Sequence, residues 1–490
     1  MRKSGILMHV TSLPNAYGIG SMGQCAYDFV DFLCEAGQSY WQILPLNPTG
    51  YGDSPYQSFS TYAGNHYLID LDQLIREGLL EQAEVNAVSW SRDENRVDYG
   101  CLYENRTKLL HTAFERFRPD ARFTAFVAEN AYWMEDYALF MALKDAFHGR
   151  AWQNWSVSLL MRIPAVLETY RQDLKEQIEF QYFLQYKFFE QWKALRTYAN
   201  ERGIRIIGDV PIYVPLDSAD VWANHHLFQL DQSRRPKMVA GCPPDSFSAD
   251  GQLWGNPLYD WDKMKQTGFE WWIQRLKAAS RMYDVVRLDH FRGFESYWAI
   301  PAGDATAANG CWKQGPGLAF IQAIQEALPN LDFIAEDLGY VTPEVRQLQE
   351  DSGYPGMKVM EFAFDSREAG NYLPHLYPVN SVCYSGTHDN LTMQQWFDEA
   401  APADVAEAKA YMGLSEEEGY VWGMIRGCMG SVSKLCVIQM QDYLELGGEA
   451  RMNFPGTLTN KNWTWRAGEG FITPELTRRI LQMTRRYGRN

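Results

Sequence analysis

The sequence predicts an α/β fold, a closed (β/α)8 TIM barrel with inserted, mainly helical subdomains in its βα loops. Eight short apolar runs end in polar or glycine-containing turns, and stretches with helical periodicity separate most of them. Runs buried on both faces that alternate with helices form parallel sheets. Eight of them favour a barrel over an open doubly wound sheet.

The first run, 5–10, follows a basic start whose apolar stretch is too short for an export signal. The second is 40–46. The segment after it carries helical patterns such as "NRTKLLHTAFERF", "YWMEDYALFMALKDAF" and "LKEQIEFQYFLQYKFFEQWKALRTYANERG", and is far too long for one crossover helix. Gly203 is placed to stop the last of these helices, which leads straight into the third run, 205–211. A second enlarged loop, 212–265, follows. The remaining runs are 284–289, 332–338, 357–362, 381–388 and 434–439. The tail of the eighth, "KLCVIQMQDYL", reads equally well as helix. The chain therefore divides into a start of the barrel with a substrate loop (1–65), a mainly helical insertion (66–165), and the rest of the barrel (166–490) with a lid-like loop at 241–257.

Composition excludes several classes of function. With 490 residues, 46% hydrophobic, the chain buries a large core. Its formal net charge of −16 opposes a nucleic-acid backbone and an anionic membrane as partners. No apolar stretch is long enough for a bilayer span. The eight cysteines are scattered without CxxC or Cys/His metal spacing, which fits reduced cytoplasmic thiols. No GxGxxG or GxxxxGK[ST] loop follows a strand, so nucleotide chemistry is not expected. The 17 tryptophans and 28 tyrosines are more informative. Many sit in polar loops such as "GYGDSPYQSFSTYAGNHY" and "DGQLWGNPLYDWD", where they suit sugar faces as well as loop packing.

In a (β/α)8 barrel, functional groups project from the C-terminal ends of the strands. The run "VVRLDHFRG" starts with buried Val285 and Val286 and ends in Asp289 and His290. Strand alternation puts Arg287 and Asp289 on one side, where the guanidinium favours an ionised, nucleophilic carboxylate. A structural Arg–Asp pair is the competing reading. The next run, "FIAEDLG", ends in Glu336 and Asp337, and "VCYSGTHDN" ends in His388 and Asp389. A partly desolvated carboxyl at the mouth is raised in pKa and serves as an acid. Two carboxyls from neighbouring strands are the equipment of glycoside chemistry, and retention of configuration calls for a separation of about 5–5.5 Å.

The set "GDVPIYV", "VVRLDHFRG", "FIAEDLG" and "SGTHDN" resembles the ordered motifs of the α-amylase clan. Over nearly the full length, from "GILMHVTSLPNAYGIG" through "YGDSPYQSFSTYAGN" and "PPDSFSADGQLWGNPLYDW" to "RMNFPGT" and "NWTWR", the chain resembles 4-α-glucanotransferases of the amylomaltase (disproportionating enzyme) type, glycoside hydrolase family 77. This resemblance implies a role for each matching position. Asp289 is the nucleophile, Glu336 the general acid/base, and Asp389 the third carboxylate, which holds sugar hydroxyls in the distorted state. Arg287 holds the nucleophile, His388 holds sugar hydroxyls, and Asp209 positions the arginine. Tyr56 matches a ring that stacks on sugar at the cleavage subsite, and Tyr51 an aromatic of a secondary glucan groove. Residues 243–256, with Asp245, Gly251, Trp254 and Asn256, resemble a lid over the acceptor side, a partly rigid loop with an aromatic tip. His290 completes the expected substrate-binding set.

After Asp209 comes "VPIYV", without the Asn–His pair of calcium-dependent amylases. That removes a typical calcium ligand and agrees with a metal-free branch, so neither metal nor other cofactor is expected. The resemblance implies retaining transfer from an α-1,4-glucan donor to the 4-hydroxyl of glucose or a maltooligosaccharide. The same carboxylates serve hydrolysis, so an amylase-like hydrolase is the nearest alternative. A catalytically silent glycan-binding protein is the other.

Overall fold

Each of the eight apolar runs contributes one strand, and each strand is shorter than its run. The computed structural model describes residues 2–91, 93–244, 248–339, 341–366 and 372–490, with Tyr51 described in its backbone alone. The strands are β1 (Lys3–Leu7), β2 (Tyr40–Gln42), β3 (Arg205–Val210), β4 (Val285–Leu288), β5 (Asp332–Ala335), β6 (Gly356–Val359), β7 (Ser381–Tyr384) and β8 (Leu435–Gln439). They close into a parallel barrel in which sequence neighbours pair and β1 pairs with β8. Past Gln439 the backbone turns into the short helix Met440–Tyr443, so the ambiguous tail of the eighth run is helical.

Amphipathic helices cover the barrel. They include α1 (Gln24–Glu35), α2 (Lys175–Glu201), α3 (Glu270–Met282), α4 (Gly317–Ala327), α5 (Pro343–Ser352), α6 (Tyr420–Gly430) and α7 (Pro474–Arg486). Between β6 and β7 the described residues form only 3-10 turns. The long segment ahead of β3 carries the helices Tyr99–Arg116 and Ala121–Ala146, capped by Asp98 and Asp120, whose carboxylates accept the N–H groups of Cys101 and Phe123. The end of α2 is closed as its sequence predicts. Gly203 takes a φ of 76°, its N–H donates to Asn200 O at 2.9 Å, and Ile204 N–H donates to Ala199 O at 2.9 Å. Along α2, Gln185 and Gln191 reach sideways to accept the Gly64 and Asp70 N–H groups, both at 2.7 Å. These bonds tie the loop after β2 to a rigid helix.

The enlarged loop after β3 and the loop after β4 share a four-stranded antiparallel sheet. Its order is Gln252–Pro257, Met238–Cys242, Ser296–Pro301, Cys311–Gln314. The strand that ends in Asp289 is thus flanked by loops that pair with each other.

Register places the chemistry. On β3 and β4, Asp209 lies opposite Arg287 and Gly208 opposite Val286. Side chains opposite each other on parallel strands share a face, so Asp209 and Arg287 meet inside the barrel. Gly208 points the other way, where the Tyr283 ring fills the space a Cβ would take. We therefore expect Gly208→Ala to destabilise the protein by about 1–3 kcal/mol, read from the denaturant midpoint. An unchanged midpoint would show that Tyr283 moves aside freely.

Candidate active site

At the mouth of the barrel a single guanidinium joins two carboxylates. Arg287 Nη1 lies 2.7 Å from Asp209 Oδ2 and 2.9 Å from Asp289 Oδ1. The Arg287 and Asp209 side chains are buried, whereas 26% of Asp289's side-chain surface stays open. Asp209 Oδ2 also accepts the Tyr56 hydroxyl at 2.8 Å. Asp289 stands one residue past β4, and its N–H still donates to Val210 O at 3.1 Å. The backbone then turns sharply, because His290 adopts a left-handed conformation with φ 49°, which is costly for a residue with a Cβ.

That turn binds the second carboxyl. The His290 N–H donates to Glu336 Oε2 at 2.6 Å, and the Leu338 N–H to Glu336 Oε1 at 2.9 Å. Glu336 continues β5, whose Ala335 lies opposite Leu288. Asp289 and Glu336 therefore stand side by side on strands spaced by about 4.8 Å. Asp337 faces outward and accepts the Met357 N–H at 2.6 Å, tying β5 to β6. Burial raises both Asp289 and Glu336 above the ordinary carboxyl range, with Arg287 pulling each back down. Two such close groups titrate as a pair, and across a wide range they hold one proton between them.

The third carboxylate, Asp389, lies past β7 on a loop, with 44% of its side chain exposed. Its Oδ2 sits 3.4 Å from Nε2 of buried His388. Burial lowers the His388 pKa, against the pull of Asp389, so the ring is neutral. The Tyr56 ring stacks on His388 at 5.2 Å and 15°, and Trp463 stands 5.7 Å and 5.9 Å from the two rings. His9 is nearby, pushed down to about 3 by burial and by His388. Its Nδ1 accepts the Leu44 N–H, which leaves the hydrogen on Nε2. His9, Thr11, Asp53, Tyr99, Met452 and Trp463 line a hollow next to this stack.

Sequence reasoning passed over three of these partners. Asn453 Nδ2 donates to Asp389 Oδ1 at 2.6 Å, Arg451 Nη2 donates to Asp389 O at 3.0 Å, and Trp463 backs His388. All three lie in "RMNFPGT" and "NWTWR", motifs noticed for their resemblance but placed in irregular chain after β8, where no strand-end rule points to them. Trp254 is on the strand Gln252–Pro257 and not at a loop tip, because this segment pairs with Met238–Cys242 in the antiparallel sheet. Its ring meets His290 edge-to-face at 4.9 Å. Asn256 is buried on the same strand. The Tyr51 side chain and Asp245 lie outside the described residues. Among the described residues, no group of three or more His, Cys, Asp or Glu side chains is placed to hold a metal ion.

A barrel that carries neighbouring carboxyls at its mouth defines a class of enzyme, one that breaks and remakes glycosidic bonds. A family model described as 4-alpha-glucanotransferase matches residues 8–470. The 4-alpha-glucanotransferase of Clostridium butyricum is 47% identical over 486 residues, covering 98% of this chain and 100% of the relative. That of Streptococcus pneumoniae is 49% identical over 493 residues, covering 100% and 97%. The amylomaltase of Streptococcus agalactiae, solved in complex with acarbose, superposes with a TM-score of 0.97 at 42% identity over 100% of both chains. The chain belongs to the 4-α-glucanotransferase family. Its activity is that of a 4-α-glucanotransferase, acting with retention of configuration.

The shared proton predicts a bell-shaped profile of kcat/KM against pH. Activity needs one protonated and one ionised carboxyl. It falls as pH drops and the pair takes a second proton, and falls again as pH rises and the pair loses its only one. Since burial raises both groups, the alkaline limb lies well above the ordinary carboxyl range. An alkaline limb between pH 4 and 5 would show that the pair titrates as ordinary carboxyls.

Proposed function

We propose that Asp289 attacks the anomeric carbon of an α-1,4-glucan while Glu336 protonates the departing glycosidic oxygen. The observation that carries this reading is the pairing of unlike surroundings on adjacent strands. Asp289 accepts from a guanidinium that favours its charge, whereas half-buried Glu336 accepts, among the described residues, from two backbone N–H groups. The covalent glycosyl–enzyme then passes its sugar to the 4-hydroxyl of glucose or another maltooligosaccharide, with Glu336 taking the hydroxyl proton. Asp389, beside neutral His388, grips the sugar hydroxyls and favours the oxocarbenium-like state. Asp209 and Tyr56 hold Arg287 in place. Tyr56, His290, Trp254, Asn256 and, by resemblance, Tyr51 and Asp245 complete the glucan contacts. Acarbose in the Streptococcus agalactiae relative supports an α-glucan ligand.

In this reading, residues 241–257 form the lid on the acceptor side and 66–165 a helical insertion. Transfer prevails over hydrolysis when aromatic subsites hold an acceptor and disfavour water. No helix of the described residues is long and apolar enough to cross a membrane, and a cytoplasmic location agrees with the unpatterned cysteines.

A time course with maltotriose tests the reaction. A ladder of longer maltooligosaccharides with free glucose, and little net gain of reducing ends, is expected; steadily rising reducing ends without a ladder would mean hydrolysis. Asp289→Asn keeps the fold and the unfolding midpoint but lowers kcat by about 10⁴-fold or more. Unchanged turnover would remove Asp289 from the nucleophile role.

A further inference from the structure

Of the three carboxylates, Asp389 is the one least fixed by the barrel. It lies on a loop, its side chain is more exposed than those of Asp209 and Asp289, and its own N–H is held by Thr387 Oγ1 at 3.3 Å. Its remaining restraints come from the irregular segment after β8. Arg451 Nη2 donates to Asp389 O at 3.0 Å, and Arg451 Nε donates to Asn453 O at 2.8 Å. One guanidinium thus bridges the main chains of Asp389 and Asn453. The side chains of the bridged residues meet in turn, Asn453 Nδ2 on Asp389 Oδ1 at 2.6 Å. The guanidinium is held from its own side by the Phe454 ring, 4.5 Å away, and lies in the field of Glu361, Asp389 and Glu399.

We propose that Arg451 is a positioning residue for the third carboxylate, setting the Asp389 loop so that Asn453 fixes the rotamer of its side chain. Arg451 bonds to the carbonyl of Asp389 and not to its carboxylate, so it acts through Asp389 and occupies neither carboxylate oxygen. Planarity matters: the fork of Nε and Nη2 spans two carbonyls at once, which a single ammonium cannot do in the same geometry. The inference rests on the role proposed above for Asp389.

A double-mutant cycle tests it. With an α-maltooligosyl fluoride as donor, so that slow variants stay measurable, Arg451→Met is expected to lower kcat roughly 10- to 100-fold. KM should change by about threefold or less, and Arg451→Lys should restore little of the loss. In an Asp389→Asn background the same Arg451→Met change should cost about threefold or less, because its target is already gone. If Arg451→Met does not fold, Arg451→Lys, which keeps the stem over Phe454, takes its place in the cycle. An equal loss in both backgrounds overturns the proposal, as does a lower unfolding midpoint with kcat intact. Wild-type turnover by Asp389→Asn alone would overturn both this proposal and the role of Asp389, whereas an inactive but uncoupled Asp389→Asn would overturn the positioning role only.

Discussion

Arg287 is the constraint on which the site depends. Its guanidinium is buried between Asp209, fully enclosed, and Asp289, open to the cleft. Removing an ion of this size from water costs several kcal/mol, and pairing alone rarely returns much more than that. What the pair supplies is fixed geometry. Asp209 Oδ1 is buried without a hydrogen-bond partner among the described residues, and Oδ2 takes both Arg287 and Tyr56. The same Nη1 that bonds Asp209 Oδ2 also bonds Asp289 Oδ1. Loss of the guanidinium would leave two carboxylates unpaired, a penalty of about 3–5 kcal/mol.

The same geometry separates the two working carboxyls by environment. Both are raised by burial, yet one faces a cation and the other accepts from a backbone turn. The left-handed His290 makes that turn possible: one residue past Asp289, it aims its N–H at Glu336 and its ring at Trp254. Asp289, Glu336 and Trp254 are therefore coupled through two consecutive backbone positions, 289 and 290. The sheet that carries Trp254 is built from the loops flanking β4, so Trp254 is anchored to the strand that leads into Asp289.

How much of this was legible in the sequence depended on whether a residue obeyed a local rule. Strand runs, the glycine stop of α2, and the carboxylates past β4, β5 and β7 all follow from periodicity and strand-end logic, and each is where those rules place it. The antiparallel sheet was not legible, because it pairs segments from two separate loops whose residues read as turn and aromatic loop. Trp254 was accordingly assigned to a loop tip. Asn453 and Arg451 were invisible for a related reason. Their importance comes from a long-range contact with Asp389, and nothing in "RMNFPGT" by itself announces a carbonyl 62 residues away as the partner.

The central claim, that Asp289 is the nucleophile held ready by Arg287, can be read directly from a trapped intermediate. Glu336→Gln mixed with an α-maltooligosyl fluoride should accumulate protein heavier by one glycosyl chain, since fluoride leaves without an acid while deglycosylation lacks its base. Proteolysis and mass spectrometry should place the added mass on the peptide that contains Asp289. An adduct on any other residue, or turnover of the fluoride by Asp289→Asn at the wild-type rate, would contradict the account.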